Sequence, residues 1–172
     1  LARSVFPDRG FELLCLDDRD DDLREFALAA GLRAGHADPL QYLDAQPNPG
    51  PADRQGVVIR ATADATAVAD VVAVNLDAST VYESFEDDFY PILFGRPQTI
   101  LAENITPFVV YDAGTPVATA QLVLYDDVAY VAWVAVVRSH MGRGLGWLVT
   151  QSVVEAGFER GMRESFRGAV RP

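Results

Sequence analysis

The chain has 172 residues, 49% of them hydrophobic, with 25 acidic side chains against 14 basic ones and a formal net charge of −11. That length fits one well-packed α/β domain, or one domain plus part of another. Such acidity repels nucleic acid and anionic membrane, so neither is an expected partner; it favours cationic substrates, amines among them, and also serves solubility by itself.

In chain order, residues 10–16 read as a strand holding Cys15, which as the sole cysteine permits neither an internal disulfide nor a thiolate metal cluster. Residues 20–30 read as a helix with acidic residues over its first turn, closed by Gly31-Leu32. His36 and His140, the only histidines, lack metal-ligand spacing, so no zinc site is expected. Residues 40–43 read as a further short strand. Between residues 44 and 55, Pro47, Pro49, Gly50 and Pro51 lie among polar residues, the composition of an extended linker. The expected organisation is therefore a segment 1–43, a linker 44–55 and a main domain 56–172. No run approaches the roughly 20 apolar residues of a membrane span, and the first residues carry no signal pattern. A cytoplasmic protein is expected. The start at Leu1 instead of Met points to a fragment, or to a sequence that omits disordered parts of the polypeptide.

Beyond the linker, residues 56–60 read as a strand, and Asp64 as the cap of a helix over 65–76. Residues 79–94 carry Val81, Tyr82, Phe85, Phe89 and Leu93 at helical spacing, with Gly95 and Pro97 as the stop. Strands are expected at 99–101, at 107–111 before a turn at Asp112-Ala113-Gly114, and at 117–125 before a turn at Asp126-Asp127. The apolar run 129–137 is too uninterrupted for a half-exposed strand and reads as a central one. A helix follows, on which Leu148, Val149, Ser152, Val153, Ala156 and Phe158 recur, with Gly161 as its stop.

Between that last strand and helix lies Gly142-Arg143-Gly144-Leu145-Gly146. A glycine turn at a helix start leaves backbone N–H groups free at the positive end of the dipole and binds phosphate; the plain alternative is a tight β-to-α turn. A P-loop needs a lysine, and this chain has none. A dinucleotide turn needs G-x-G-x-x-G, whereas the spacing here is G-x-G-x-G followed by Trp147. The run 136–146 resembles the acetyl-CoA loop of the GNAT superfamily of N-acetyltransferases, roughly V-x-P-x-x-[RQ]-G-x-G-[IL]-G. It matches at Val136, Gly142, Gly144, Leu145 and Gly146. It departs at Arg138, where the family has Pro, and at Met141, where it has Arg or Gln; Arg143 could supply the missing positive charge.

The order of elements over roughly 56–161 is also similar to the GNAT core. The resemblance implies an α/β fold with a mixed, mostly antiparallel twisted sheet flanked by helices. In that family a strand, a helix and a closing hairpin follow the last helix, and residues 162–172 are too few to supply them. Residues 1–43 either complete the sheet, or form the tail of a preceding GNAT-like repeat, or are an unrelated appendage.

The resemblance further implies acetyl-CoA as acyl donor. Val134, Ala135 and Val136 would pair with the pantetheine arm as a strand does, and the amides of Met141, Gly142, Arg143, Gly144, Leu145 and Gly146 would cradle the pyrophosphate. A primary amine, small or on a peptide, would attack the thioester directly, helped by positioning and by a backbone N–H near Val136. Some members carry a glutamate six residues before the motif's Val. That position is Tyr130, a poor base at neutral pH. Glu83 and Glu86, three apart on the expected second helix, are candidates for attracting the amine or relaying its proton, though a solvated helix face is the ordinary reading of such acids. The family's usual tyrosine, four residues before a Gly-Phe pair, maps onto Ala27 if Gly31-Leu32 is that pair. Two missing side chains keep a second reading open: a catalytically degenerate GNAT-fold domain, a scaffold or partner-binding half of a tandem protein. A homodimer is compatible with either.

Overall fold

The computed structural model describes residues 20–34, 40–45, 56–61, 64–80 and 100–168. They fall in two compact units, Leu1–Ala37 and Asp38–Pro172. In the first, helix α1 (Asp21–Ala29) carries Asp21 and Asp22 in its opening turn, where carboxylates oppose the positive end of the dipole. It ends as Gly31-Leu32 foretold. Gly31 at φ +87° lets Gly31 N–H reach Leu28 C=O and Leu32 N–H reach Ala27 C=O, both at 3.0 Å. The expected strand with Cys15, His36, residues 46–55 of the expected linker, and Glu83 and Glu86 with their helix lie outside the described residues.

The second unit is built on a six-stranded sheet. Its elements are β1 (Leu40–Leu43), β2 (Val57–Ala61), helix α2 (Ala65–Ser79), β3 (Ile105–Asp112), β4 (Thr115–Tyr125), β5 (Val128–Val136), a short turn of 3-10 helix (Arg138–His140), helix α3 (Leu145–Glu159) and β6 (Glu164–Gly168). The strand order is β1-β6-β5-β4-β3-β2. Only β5–β6 is parallel; all other pairs are antiparallel. The expected mixed, mostly antiparallel sheet flanked by helices is thus the fold observed.

Alternation along the strands assigns the two faces. Phe108, Val110, Ala118, Ala120, Leu122, Ala129 and Val131 form one core with Leu145, Val149, Val153 and Val154 of α3. On the other face, Val68 and Val71 of α2 pack against Val109, and Val74 and Ala78 against Ala135. Because β3 and β4 are covered on both sides, they read as nearly continuous apolar runs.

Three expectations are corrected. Of the strand expected at 99–101, Thr99 lies outside the described residues, Ile100 is helical and Leu101 lies in a bend. Ile100 is buried beside Val68, Val71 and Val109, so its β-branched side chain serves the core from a non-strand backbone. Helix α2 runs through Leu76 to Ser79, the residue expected to open the next helix. There the hydroxyls of Ser79 and Thr80 donate to the carbonyls of Leu76 and Asp77, each at 2.7 Å, and close the helix. Finally, residues 162–172 do supply a strand. β6 pairs with β5 on one side and β1 on the other, and the Arg163 guanidinium, ion-paired with Asp127, ties its start to the β4–β5 turn. That cation holds the Asp127 carboxyl below its usual range.

Helix α2 is also latched at its N-terminal half. The Tyr111 hydroxyl of β3 donates to Asp70 at 2.6 Å, while the Arg60 guanidinium lies 5.2 Å from the ring centroid. Burial first, and then the Asp70 carboxylate, push the Tyr111 phenol up to about 12, against the opposing pull of Arg60. The fold favours the protonated phenol. Its contribution is therefore complete below pH 10, the ordinary value, and is lost as pH rises towards about 12. In an absorbance titration of the six tyrosines, one should ionise last, and Tyr111→Phe should remove that late component and cost about 1 kcal/mol in urea unfolding.

Candidate functional site: a strand fork and an amide-lined turn

Strand β5 parts from β6 partway along its length. Val128, Ala129 and Tyr130 pair with Glu164, Ser165 and Phe166. Beyond that point β6 continues with Arg167 and Gly168 paired to Gln41 and Leu40 of β1, while residues 131–136 of β5 have no strand partner on that side among the described residues. The result is a fork whose apex is at Tyr130 and whose mouth opens towards the end of β5. An open strand edge offers N–H and C=O groups to any extended chain that enters.

A bulge bends the free arm. The β4–β5 register steps from Gln121↔Ala132 to Thr119↔Ala135, so β5 carries one extra residue there. Trp133, at φ +51°, lies in the left-handed region within this insertion, and a bulge bends its strand and increases the local twist. Val134, Ala135 and Val136 lie just beyond it, with Ala135 buried and the two valines half-buried.

The turn that follows is fastened from three sides. Val137 N–H donates to Val117 C=O at 2.9 Å. The Asp77 carboxylate at the end of α2 accepts the Arg138 N–H at 2.6 Å. The Asp112 carboxylate at the end of β3 lies 3.3 Å from His140 Nε2, and Ser139 Oγ is 2.9 Å from His140 Nδ1. Asp77 and Asp112 are the residues sequence reading missed. Their contacts span long separations along the chain and leave no local pattern.

Gly142 and Gly144 have φ of +74° and +72°, and Gly144 is the N-cap of α3. The first N–H bonded back into the helix is that of Leu148, to Gly144 C=O at 3.1 Å. The N–H groups of Gly144, Leu145, Gly146 and Trp147 therefore have no intrahelical acceptor, as at any helix start, and the N-cap residue Gly144 has no side chain to cap them. Gly146 lets the helix start press onto β5: a Cβ there would meet Val136 Cγ2 at 3.3 Å. The free arm of the fork and the amide-lined turn are thus brought together. Met141 differs from the rest of the turn, since its N–H bonds Arg138 C=O at 3.3 Å. The exposed Arg143 guanidinium lies 4.0 Å from Asp112, so its charge is shared with that carboxylate. No cluster of candidate metal ligands occurs among the described residues, and no described helix is long and apolar enough to cross a membrane.

Comparison with known proteins bears on the fold and the family. No curated protein sequence matches the chain. Among solved structures, a GCN5-related N-acetyltransferase from Kribbella flavida aligns at 24% identity and TM-score 0.64, over 87% of this chain and 54% of that one. One from Sphaerobacter thermophilus aligns at 17% identity and TM-score 0.61, over 86% and 46%. The PaiA N-acetyltransferase from Thermoplasma acidophilum, solved in complex with coenzyme A, aligns at 10% identity and TM-score 0.53, over 62% and 74%. The chain thus spans about half the length of the first two. At these identities the likeness shows the fold. The model of the acetyltransferase (GNAT) family matches residues 72–171, more than half of the chain, which therefore belongs to the GNAT acetyltransferase family.

Proposed function

We propose that this protein is an N-acetyltransferase that moves an acetyl group from acetyl-CoA to a primary amine, small or on a peptide. The observation that carries the reading is the juxtaposition of the open edge of β5 with the uncapped amides of Gly144, Leu145, Gly146 and Trp147. An extended arm ending in a diphosphate fits that pair of features: strand-like bonds to Val134, Ala135 and Val136, and anion binding at the helix start. Met141, Gly142 and Arg143 complete the turn, with Arg143 the nearby cation. The amine nitrogen attacks the thioester carbonyl carbon, the C–S bond breaks, and the amine's proton goes finally to the coenzyme A thiolate. Tyr130 at the fork's apex stands beside the reacting centre, and Glu83 and Glu86 are proposed to draw the ammonium in and relay its proton. Acceleration would rest on positioning and on a backbone N–H of β5 facing the developing oxyanion. A cytoplasmic location fits this chemistry. Residues 1–43 and the linker 44–55 precede the catalytic domain 56–172, with β1 lent back to its sheet.

A second reading, a degenerate GNAT domain acting as the scaffold or partner-binding half of a tandem protein, is favoured by one observation: by motif position the sequence has Tyr130 where some family members have their base, and Ala27 in place of the acid if Gly31-Leu32 is the family's Gly-Phe pair. Calorimetry with acetyl-CoA and a thiol-release assay over a panel of amines separate the two. Saturable heat with turnover of any amine supports the transferase. Heat without turnover supports the degenerate domain, and no heat rejects the coenzyme site altogether.

A further inference from the structure

Gln121 of β4 is 4% exposed, yet its side-chain Nε2 has no hydrogen-bond partner among the described residues. A buried amide N–H left unpaired costs about 1–3 kcal/mol, and a group held at that cost in a strand is explained when a ligand satisfies it. Where it lies indicates which ligand. Cross-strand partners share a face, so the register Gln121↔Ala132 puts Gln121 on the same face as Ala132 and, two residues back along β5, Tyr130 at the fork's apex. Ala132 has only a methyl group, and neighbouring strands are about 4.8 Å apart, so the amide of Gln121 can cross that methyl towards the open edge of β5. The bulge at Trp133 begins one residue further on. Ser165 Oγ, also buried and without a hydrogen-bond partner among the described residues, sits on a residue that pairs in register with Ala129 and so belongs to the α3 side of the sheet.

We propose that Gln121 determines acceptor specificity, its side-chain N–H receiving a carbonyl oxygen carried by the amine substrate close to the reacting nitrogen. This inference rests on the acetyl-transfer reading and narrows the acceptor to α-amino amides, the amino termini of peptides included, over plain alkylamines. The net charge of −11 favours a neutral carbonyl over a carboxylate in that position. A site that must satisfy a buried polar group discriminates strongly against substrates lacking its partner.

The test compares glycinamide with ethylamine as acceptors for the full chain and for Gln121→Met, a change close in volume that removes the donor. The ratio of kcat/KM for the two amines, which cancels general damage, should fall at least about ten-fold in the variant, which should melt no lower than the parent. An unmoved ratio in an active enzyme overturns the role of Gln121 and leaves the transferase reading standing. A second readout needs no turnover. The side-chain amide resonance of Gln121, identified by its loss in Gln121→Met, should shift with glycinamide and not with ethylamine. A shift in a protein that acetylates neither amine supports the binding role and removes the transfer. A resonance indifferent to glycinamide, as when a trapped water satisfies the amide, overturns the proposal.

Discussion

Gly144→Asp is expected to lower acetyl-CoA affinity by a factor of about 100 or more while leaving the protein folded. Two effects bear on the fold, and they oppose each other. Position 144 sits at φ +72° and ψ 16°, where an L side chain costs about 1–2 kcal/mol, with Asp and Asn among the residues that tolerate it best. In return, an Asp at an N-cap accepts a helix N–H and opposes the positive dipole end, worth about 1 kcal/mol. The melting temperature should therefore shift by only a few degrees. For the ligand nothing offsets the loss. The carboxylate occupies the amides a diphosphate would use, and at about 5 Å with an effective dielectric of 20 each phosphate charge meets roughly 3 kcal/mol of repulsion. Gly144→Asn has the same backbone strain without the charge and should lose only about ten-fold; the gap between the two variants should close as salt rises. An Asp variant that binds acetyl-CoA like the parent would place the diphosphate elsewhere and remove the basis of the proposed function.

That the turn could be found from sequence follows from its local chemistry. Gly142 and Gly144 hold positive φ, a need that few residues other than glycine meet, so the requirement is written in the residue type. The same holds for Gly31 at the end of α1 and for the Asp112-Ala113-Gly114 turn. Strands β3, β4 and β5 were legible because burial on both faces leaves largely apolar runs, broken in β4 by Thr119 and Gln121. The fork was not legible. It depends on where β6, held to β1 along its other edge, stops following β5, a non-local choice, and the β6 residues Glu164, Ser165, Phe166 and Arg167 show no alternation that marks a strand. The bulge was hidden for a different reason: Trp133 takes φ +51° inside an apolar run without glycine or proline. Ile100 misled in the opposite direction, since a β-branched residue between Thr99 and Leu101 has strand propensity, and the core contact with Val68, Val71 and Val109 overrode it.

The fork in turn depends on how closely α3 lies on the sheet, and Gly157 sets that distance. A Cβ at position 157 would stand 2.6 Å from the Ala129 Cβ and 3.6 Å from Leu122 Cδ1, whereas carbon atoms rest about 3.5–4.0 Å apart. The Ala129 Cβ is fixed to the β5 backbone and cannot rotate aside, so helix or strand must move by about 1 Å. In a solvent-facing helix Gly→Ala gains up to about 1 kcal/mol from propensity. Here that gain opposes overpacking of about 1–3 kcal/mol, and the contact is close enough that overpacking should win. Gly157→Ala should lower the urea midpoint at constant m-value, and Gly157→Leu should lower it further. Ala129→Gly supplies the decisive control. Alone it should destabilise by about 0.5–1 kcal/mol as a glycine within a strand. Combined with Gly157→Ala it should restore the missing gap, so the double variant should be more stable than the sum of the two single changes predicts. Simple additivity would mean that these two atoms do not meet. It would also detach α3 from Ala129, one of the three β5 residues that pair with β6 before the fork opens.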